Sequence, residues 1–282
     1  MATGTVRTIS LPSGGNIPVL GQGTWHLAEH PHDWDAEVTS LRLGLDLGLR
    51  LIDTAEMYAD GAAERLVAEA IAGRRDEVFL VSKVLPTHAT RRQTIVACEK
   101  SLRRLRTDRI DLYLLHWRGS PPLAETVSAF AELLDSEKIV SWGVSNLDAD
   151  DMRELVALDG GSHVQTDQVL YNLTRRGVER DLLPWCRTRG IPLMAYSPIE
   201  QGRLLEHPVL RRIAMEHSAT PAQVALSWVL RDGGVSAIVK AATPSHLRED
   251  RAALDLVLGA EDVAALERAF PPPAGPEPLA ML

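Results

Sequence analysis

The chain has 282 residues, 45% of them hydrophobic and 24% charged, with a formal net charge of −8. That length suits one large α/β barrel or two ordinary domains, and an acidic balance without a Lys/Arg block argues against a nucleic-acid partner. Two cysteines, Cys98 and Cys186, give neither a disulfide framework nor metal-ligand spacing, and no apolar run approaches the ~20 residues that cross a bilayer.

The opening, MATGTVRTISLPSGG, lacks the apolar core of a secretory leader, so a cytoplasmic protein without a membrane partner is expected. TISLPSGGNIPVLG then reads as two short strands around a Ser-Gly-Gly turn. From there, short apolar runs alternate with amphipathic stretches. Strands are predicted over 19–23, 49–53, 78–84 and 110–116, each followed by a helical pattern, over 33–47, 62–72, 90–105 and 123–136. The rhythm continues with strands over 141–145, 164–169, 192–195 and 237–240, and helices over 148–158, 178–189, 220–231 and 244–256. Several strands are continuously apolar, as parallel strands covered by helices must be. Thr220-Pro221 and Thr243-Pro244 read as caps followed by a first-turn proline, and Gly48 and Gly190 as helix stops. Eight strand–helix units without a linker predict an α/β fold, a (β/α)8 TIM barrel with an N-terminal β-hairpin, as one domain over 1–282. An open doubly wound sheet that bound a dinucleotide would carry G-x-G-x-x-G after its first strand, and that pattern is missing. The proline-rich tail, 271–282, is expected to be extended or loosely held.

In such a barrel, function resides at the C-terminal strand ends. The predicted strands run into Asp53, Lys83, His116, Ser145-Asn146, Tyr196 and Lys240, and the sixth carries Gln168. A lysine closing a buried apolar strand needs a carboxylate partner, because an unpaired ammonium there is costly. Asp53 on the neighbouring strand is the best candidate. Tyr58, in DTAEMY, can reach the same mouth from the loop. Beside a paired lysine its pKa is expected to fall below the usual value of about 10, which suits a general acid toward a carbonyl oxygen. His116 can supply a second hydrogen bond to that oxygen. Taken singly, a strand-end lysine is more often a structural ion pair, and a histidine after LYLL a core residue. Joint placement on successive strands carries the functional reading. A strand-end lysine also allows a different chemistry, Schiff-base formation as in a class I aldolase-like lyase.

Along nearly its whole length the chain resembles the aldo-keto reductase superfamily. The resemblance lies in LRLIDTAEMYADGAAE, VFLVSKV, RIDLYLLHW, WGVSN, TDQVLYN and AYSP, which follow the family's order and spacing. It implies a catalytic tetrad of Asp53, Tyr58, Lys83 and His116, with Tyr58 giving the proton while reduced nicotinamide gives hydride. It further implies that Ser145, Asn146 and Gln168 hold the nicotinamide carboxamide, that Tyr196 stacks on the ring with Ser197 beside it, and that Gly23, Thr24 and Trp25 flank the cofactor. Lys240, Thr243 and His246 match positions that grip the 2′-phosphate. Ala241 stands where many relatives have serine, Glu249 matches an adenine contact, and Asp250 replaces a frequent asparagine. NADPH is therefore the expected cofactor, with NADH a second candidate. Trp25, Met57 and Trp117 are expected to wall the substrate pocket. The loops after His116 and Tyr196 read as short or moderate and the tail as offering no deep lid, so small aldehydes, ketones and dicarbonyls are the expected substrates. The protein is expected to be a monomer or a weak homo-oligomer. Some relatives are cofactor-sensing subunits with little turnover, a second role this resemblance allows.

Overall fold

The structure, a computed structural model, describes residues 6–240, 242–275 and 277–282. It opens on the predicted hairpin, in which β1 (Thr8–Ser10) and β2 (Asn16–Pro18) pair antiparallel with Ile9 opposite Ile17. Gly14 makes the turn at φ +88°, a conformation glycine adopts without a Cβ clash.

Eight parallel strands follow and close into a barrel. They are β3 (Leu20–Gly23), β4 (Leu51–Asp53), β5 (Phe79–Val84), β6 (Ile110–Leu115), β7 (Ile139–Ser145), β8 (Asp167–Leu170), β9 (Leu193–Tyr196) and β10 (Val235–Val239). Each predicted strand is present, with no end moved by more than three residues. Neighbouring strands pair in sequence order, and β10 closes the ring between β9 and β3. The register sets Gly23 beside Asp53, Ser145 beside Gln168 and Tyr196 beside Ile238, so the polar strand ends gather at one rim.

The helices α1 (Trp34–Asp46), α2 (Ala62–Ala70), α3 (Arg91–Leu105), α4 (Leu123–Asp135), α5 (Ala149–Ala157) and α6 (Leu182–Arg187) occupy the expected intervals. They are followed by α7 (Pro208–Glu216), α8 (Pro221–Val229), α9 (Pro244–Ala252) and α10 (Ala260–Ala269). Two of these, α7 and α10, lie outside the one-helix-per-strand rhythm and went unpredicted. The helix predicted over 178–189 is a 3-10 turn, Gly177–Glu179, then α6, because Asp181 leaves helical geometry and accepts the Leu182 N–H. Caps divide similarly. Thr220 forms a complete capping box with Gln223, whereas the Thr243 hydroxyl makes no cap bond and lies 3.4 Å from Ser245 Oγ. Asp148 caps α5 by accepting from the N–H groups of Asp150 and Asp151.

Two apolar layers hold the fold. Inside the barrel, Leu51, Val81, Leu112, Leu114, Met194 and Ile238 pack together, and Leu11 and Ile17 of the hairpin join them. Between strands and helices lies a far larger cluster. Each fully buried Leu or Ile contributes about 1.5–3 kcal/mol relative to exposure. Both cysteines are free and buried, so neither staples the fold. No helix among the described residues is long and apolar enough to cross a membrane.

Candidate active site

A cavity of about 710 Å³ opens at the rim where the strands end. Its floor is built from β4, β5, β6 and the loop after β4. Lys83, placed by β5, is fully buried, and its ammonium donates to Asp53 Oδ2 at 2.7 Å, to the Thr54 carbonyl at 2.9 Å and to Tyr58 Oη at 3.0 Å. All three of its protons are thereby used. Asp53 is fixed from its other side by Gln168 Nε2, which donates to Oδ1 at 2.8 Å.

Tyr58 arrives by a tight device. The residues after it, Ala59, Asp60 and Gly61, all have positive φ (47°, 51° and 74°). A left-handed run containing two non-glycine residues is strained, and such strain persists only where surroundings over-determine it. Here those surroundings are visible. The buried Glu64 carboxylate accepts from Ser82 and from Arg104, and the Arg104 side chain lies so close to Gly61 that a Cβ there would sit 2.7 Å from it. Glu56, two residues before Tyr58, accepts the Leu85 N–H at 2.8 Å and so ties the loop to the end of β5.

The protonation states differ from expectation in one respect. Burial raises the Tyr58 phenol, Lys83 lowers it, Asp53 raises it again, and the balance lies above the usual value, not below. The neighbouring ammonium favours release of the proton, but the loss of water on burial outweighs it. Burial by itself pulls the Lys83 ammonium down, but Asp53 and Tyr58 more than offset it, and the net shift is upward. Burial and then Lys83 push His116 down to about 2, so the imidazole is neutral. His116 lies edge-on to Tyr58, ring centroids 5.7 Å apart. Its Nδ1 is buried without a partner among the described residues, which leaves Nε2 as the nitrogen for a ligand.

Across the mouth stands an amide and hydroxyl network. Ser145 Oγ donates to the Gln168 carbonyl at 2.8 Å, and Asn146 Nδ2 donates to Ser145 Oγ and to the His116 carbonyl, both at 3.1 Å. Tyr196 Oη donates to Asn146 Oδ1 at 2.9 Å, and burial pushes this phenol up to about 12. At the β10–α9 side of the cavity, Lys240, His246, Glu249 and Asp250 line the wall.

Comparison with known proteins bears on this geometry. Residues 19–270 match the sequence profile of the aldo/keto reductase family. The chain belongs to the aldo/keto reductase family. It is 51% identical over 281 residues to methylglyoxal reductase YeaE of Escherichia coli K12, covering 98% of this chain and 99% of that protein. It is 32% identical to the glyoxal reductase of Bacillus subtilis 168, covering 95% and 94%. Among solved structures, it superposes with a TM-score of 0.96 and 49% identity on an aldo/keto reductase from Klebsiella pneumoniae in complex with NADP and acetate, covering 99% of this chain and 100% of that one.

In this aldo/keto reductase nearly every residue singled out in the sequence reaches the one cavity. Gly23, Trp25, Asp53, Met57, Tyr58, His116 and Trp117 line one part. Ser145, Asn146, Gln168, Tyr196 and Ser197 line another, next to Lys240 and the three α9 residues. Lys83 lies directly beneath Asp53 and Tyr58. Two more residues stand off the wall. Thr24 is fully buried and donates its hydroxyl to the Asp53 carbonyl, and Thr243 is exposed beyond the cavity edge. Ala241 lies outside the described residues.

Several lining residues went unpredicted, His26 and Ala222 among them, and two groups of them reach the wall from distant segments. The connection after Tyr196 is long, holding a 3-10 turn, Glu200–Gly202, and α7, and it lends Ile199, Gln201 and Leu205 to the wall. The tail also returns to the site, where Met281 and Leu282 join the lining. Neither had a local signal, because an apolar residue facing a ligand reads the same as one facing a core. The lyase reading of Lys83 fails on geometry, since an amine that donates three hydrogen bonds has no lone pair for Schiff-base attack.

Proposed function

We propose that this protein reduces small aldehydes and dicarbonyls to alcohols with NADPH as electron donor, and that Asp53, Tyr58, Lys83 and His116 form its catalytic centre. The observation that carries the reading is Lys83 Nζ bonded at once to Asp53 and Tyr58 at the floor of the cavity, beside a neutral His116. The donor set fits a nicotinamide dinucleotide phosphate. Amide and hydroxyl groups of Ser145, Asn146 and Gln168 suit a carboxamide, the Tyr196 ring offers a stacking face, and Lys240 offers a fixed charge to a phosphate. The cavity lies within the range of about 300–1,000 Å³ common for ligand sites. Solved relatives of high similarity carry NADP or NADPH, which supports this choice.

The bound cofactor supplies hydride to the carbonyl carbon. The chain's own part is positioning and proton supply. Tyr58 Oη, held as the neutral phenol by burial, gives its proton to the carbonyl oxygen as negative charge develops there. Lys83 stabilises the phenolate left behind, and Asp53 keeps Lys83 charged and fixed. His116 donates from Nε2 to the same oxygen and cannot compete as an acid, being neutral. Trp25, Met57 and Trp117 supply apolar walls to this corner.

The reading is tested by following nicotinamide absorbance with methylglyoxal, glyoxal, a short aliphatic aldehyde and a bulky cyclic ketone, each with NADPH and with NADH. Highest kcat/KM is expected for the small dicarbonyls with NADPH. A bulky ketone ranking first overturns the substrate class, and no coenzyme consumption with any carbonyl overturns the activity.

A further inference from the structure

Among the groups on the cavity wall, Asp250 is held in unusual surroundings. It sits on α9 with 4% of its surface exposed, yet it contributes to the lining. Among the described residues no hydrogen-bond donor steadies its carboxyl. Burial, then the Glu249 carboxylate, push it up to about 7. The elements around it offer no relief. From α8 come Ala222 and Gln223, whose amide donates to the Glu249 carbonyl. From α1 come Ser40, bonded to the Ala242 carbonyl, and Glu37, which accepts the Ala28 N–H. On α9 itself Arg248 donates to the Pro244 carbonyl, Arg251 pairs with Asp255, and His246 lines the cavity. Lys240 ends β10.

Lys240 is the one lysine or arginine on the cavity wall among the described residues, so a 2′-phosphate belongs at this end. Adenine and the 2′-phosphate share one ribose, which brings the base to α9 as well. An ionised carboxylate there would repel the phosphate and offer the base acceptors only. A neutral carboxyl offers an O–H donor and a carbonyl acceptor, matching a ring nitrogen and the amino group of adenine. We propose that Asp250 binds the adenosine 2′-phosphate end of the cofactor as the neutral acid, so that cofactor binding takes up a proton. The proposal rests on the reading of the site as an NADPH pocket. It makes Asp250 a specificity residue whose grip weakens as pH rises.

The sign follows from the population that can bind. The free protein holds the acid form below a midpoint of about 7 and loses it above. Between about pH 6.5 and about pH 8.5 the competent fraction falls by roughly 25-fold, and the apparent Kd rises in proportion. Tryptophan fluorescence quenching by NADPH measures this Kd without turnover. The wild-type Kd is expected to rise by that order, whereas Asp250→Asn, which presents an amide at every pH, is expected to vary by less than about threefold beyond the ligand's own ionisation. Parallel profiles for the two proteins overturn the inference. Absence of NADPH binding at any pH overturns instead the reading of the pocket. Calorimetry of the wild type in two buffers of different protonation enthalpy provides a check that needs no variant. Net proton uptake near pH 7.5 supports the proposal. Zero uptake or release overturns it, and release is what a phosphate with pKa about 6 gives when it meets Lys240 alone.

Discussion

At the residue scale, the floor of the site works by giving Lys83, His116 and Tyr58 one protonation state each and keeping it there. Lys83 stays charged because its partners outweigh its burial, and His116 stays neutral because nothing compensates its burial. Tyr58 stays protonated because loss of water outweighs the ammonium beside it. Tyr58→Phe is therefore expected to lower kcat by at least about a hundredfold, the worth of a positioned general acid. NADPH affinity in that variant should stay within about twofold, checked by fluorescence titration, and a variant with normal kcat removes Tyr58 as the donor. The pH dependence has a definite sign. A raised Tyr58 pKa keeps the donor form complete below it and loses it only above, while His116 at about 2 adds no limb near neutrality. With cofactor saturating, kcat for reduction should be level from about pH 6 to about pH 9 and fall only beyond the ordinary tyrosine value of about 10. A half-maximal point near pH 7 contradicts the assignment. Lys240→Ala should weaken NADPH by about tenfold or more, the worth of a charged hydrogen bond, and leave NADH nearly unchanged. Equal loss for both coenzymes places the phosphate elsewhere.

At the element scale, strands that are buried on both faces tolerate little extra volume. Gly143 in β7 lies two residues before Ser145, and a Cβ there would stand 2.6 Å from the Thr166 carbonyl oxygen and 2.9 Å from Leu114 Cδ2. Backbone cannot step aside as a flexible side chain can. Gly143→Ala should cost about 1–3 kcal/mol in urea unfolding despite removing a flexible glycine, and a midpoint at or above the wild type rules out the clash. The strands and most helices were legible in the sequence because apolar periodicity reports burial directly. The missed α7 and α10 illustrate the limit. Leu210, Ile213 and Ala214 of α7 are buried, but their spacing carries no mark of where that helix docks, and α10 fully buries only Leu266. Likewise the break at Asp181 depends on a side-chain cap that competes with continuing the helix, a balance set locally by a single hydrogen bond.

At the scale of the whole molecule, the barrel separates stability from chemistry. The hairpin seals one end with Leu11 and Ile17 packed into the interior layer, and the site occupies the rim at the C-terminal ends of the strands. Ile17 is fully buried, so Ile17→Ala should cost about 2–4 kcal/mol in unfolding free energy. Below the unfolding transition its kcat/KM should match the wild type within about twofold. A large kinetic defect at unchanged stability refutes this division of labour.

What the sequence determined by itself was the alternation of strand and helix, and with it the polar residues that the strands present at their ends. Those follow from local pattern and from the rule that a closed barrel aims its strand termini at one mouth. The tertiary structure decided how deeply each group is buried, and thereby that Tyr58 is a stronger keeper of its proton than its neighbour suggests. It also decided that the connection after Tyr196 and the tail come back to the cavity. The reason is physical. Solvation and long-range docking depend on everything that surrounds a residue, and no stretch of chain contains its own surroundings.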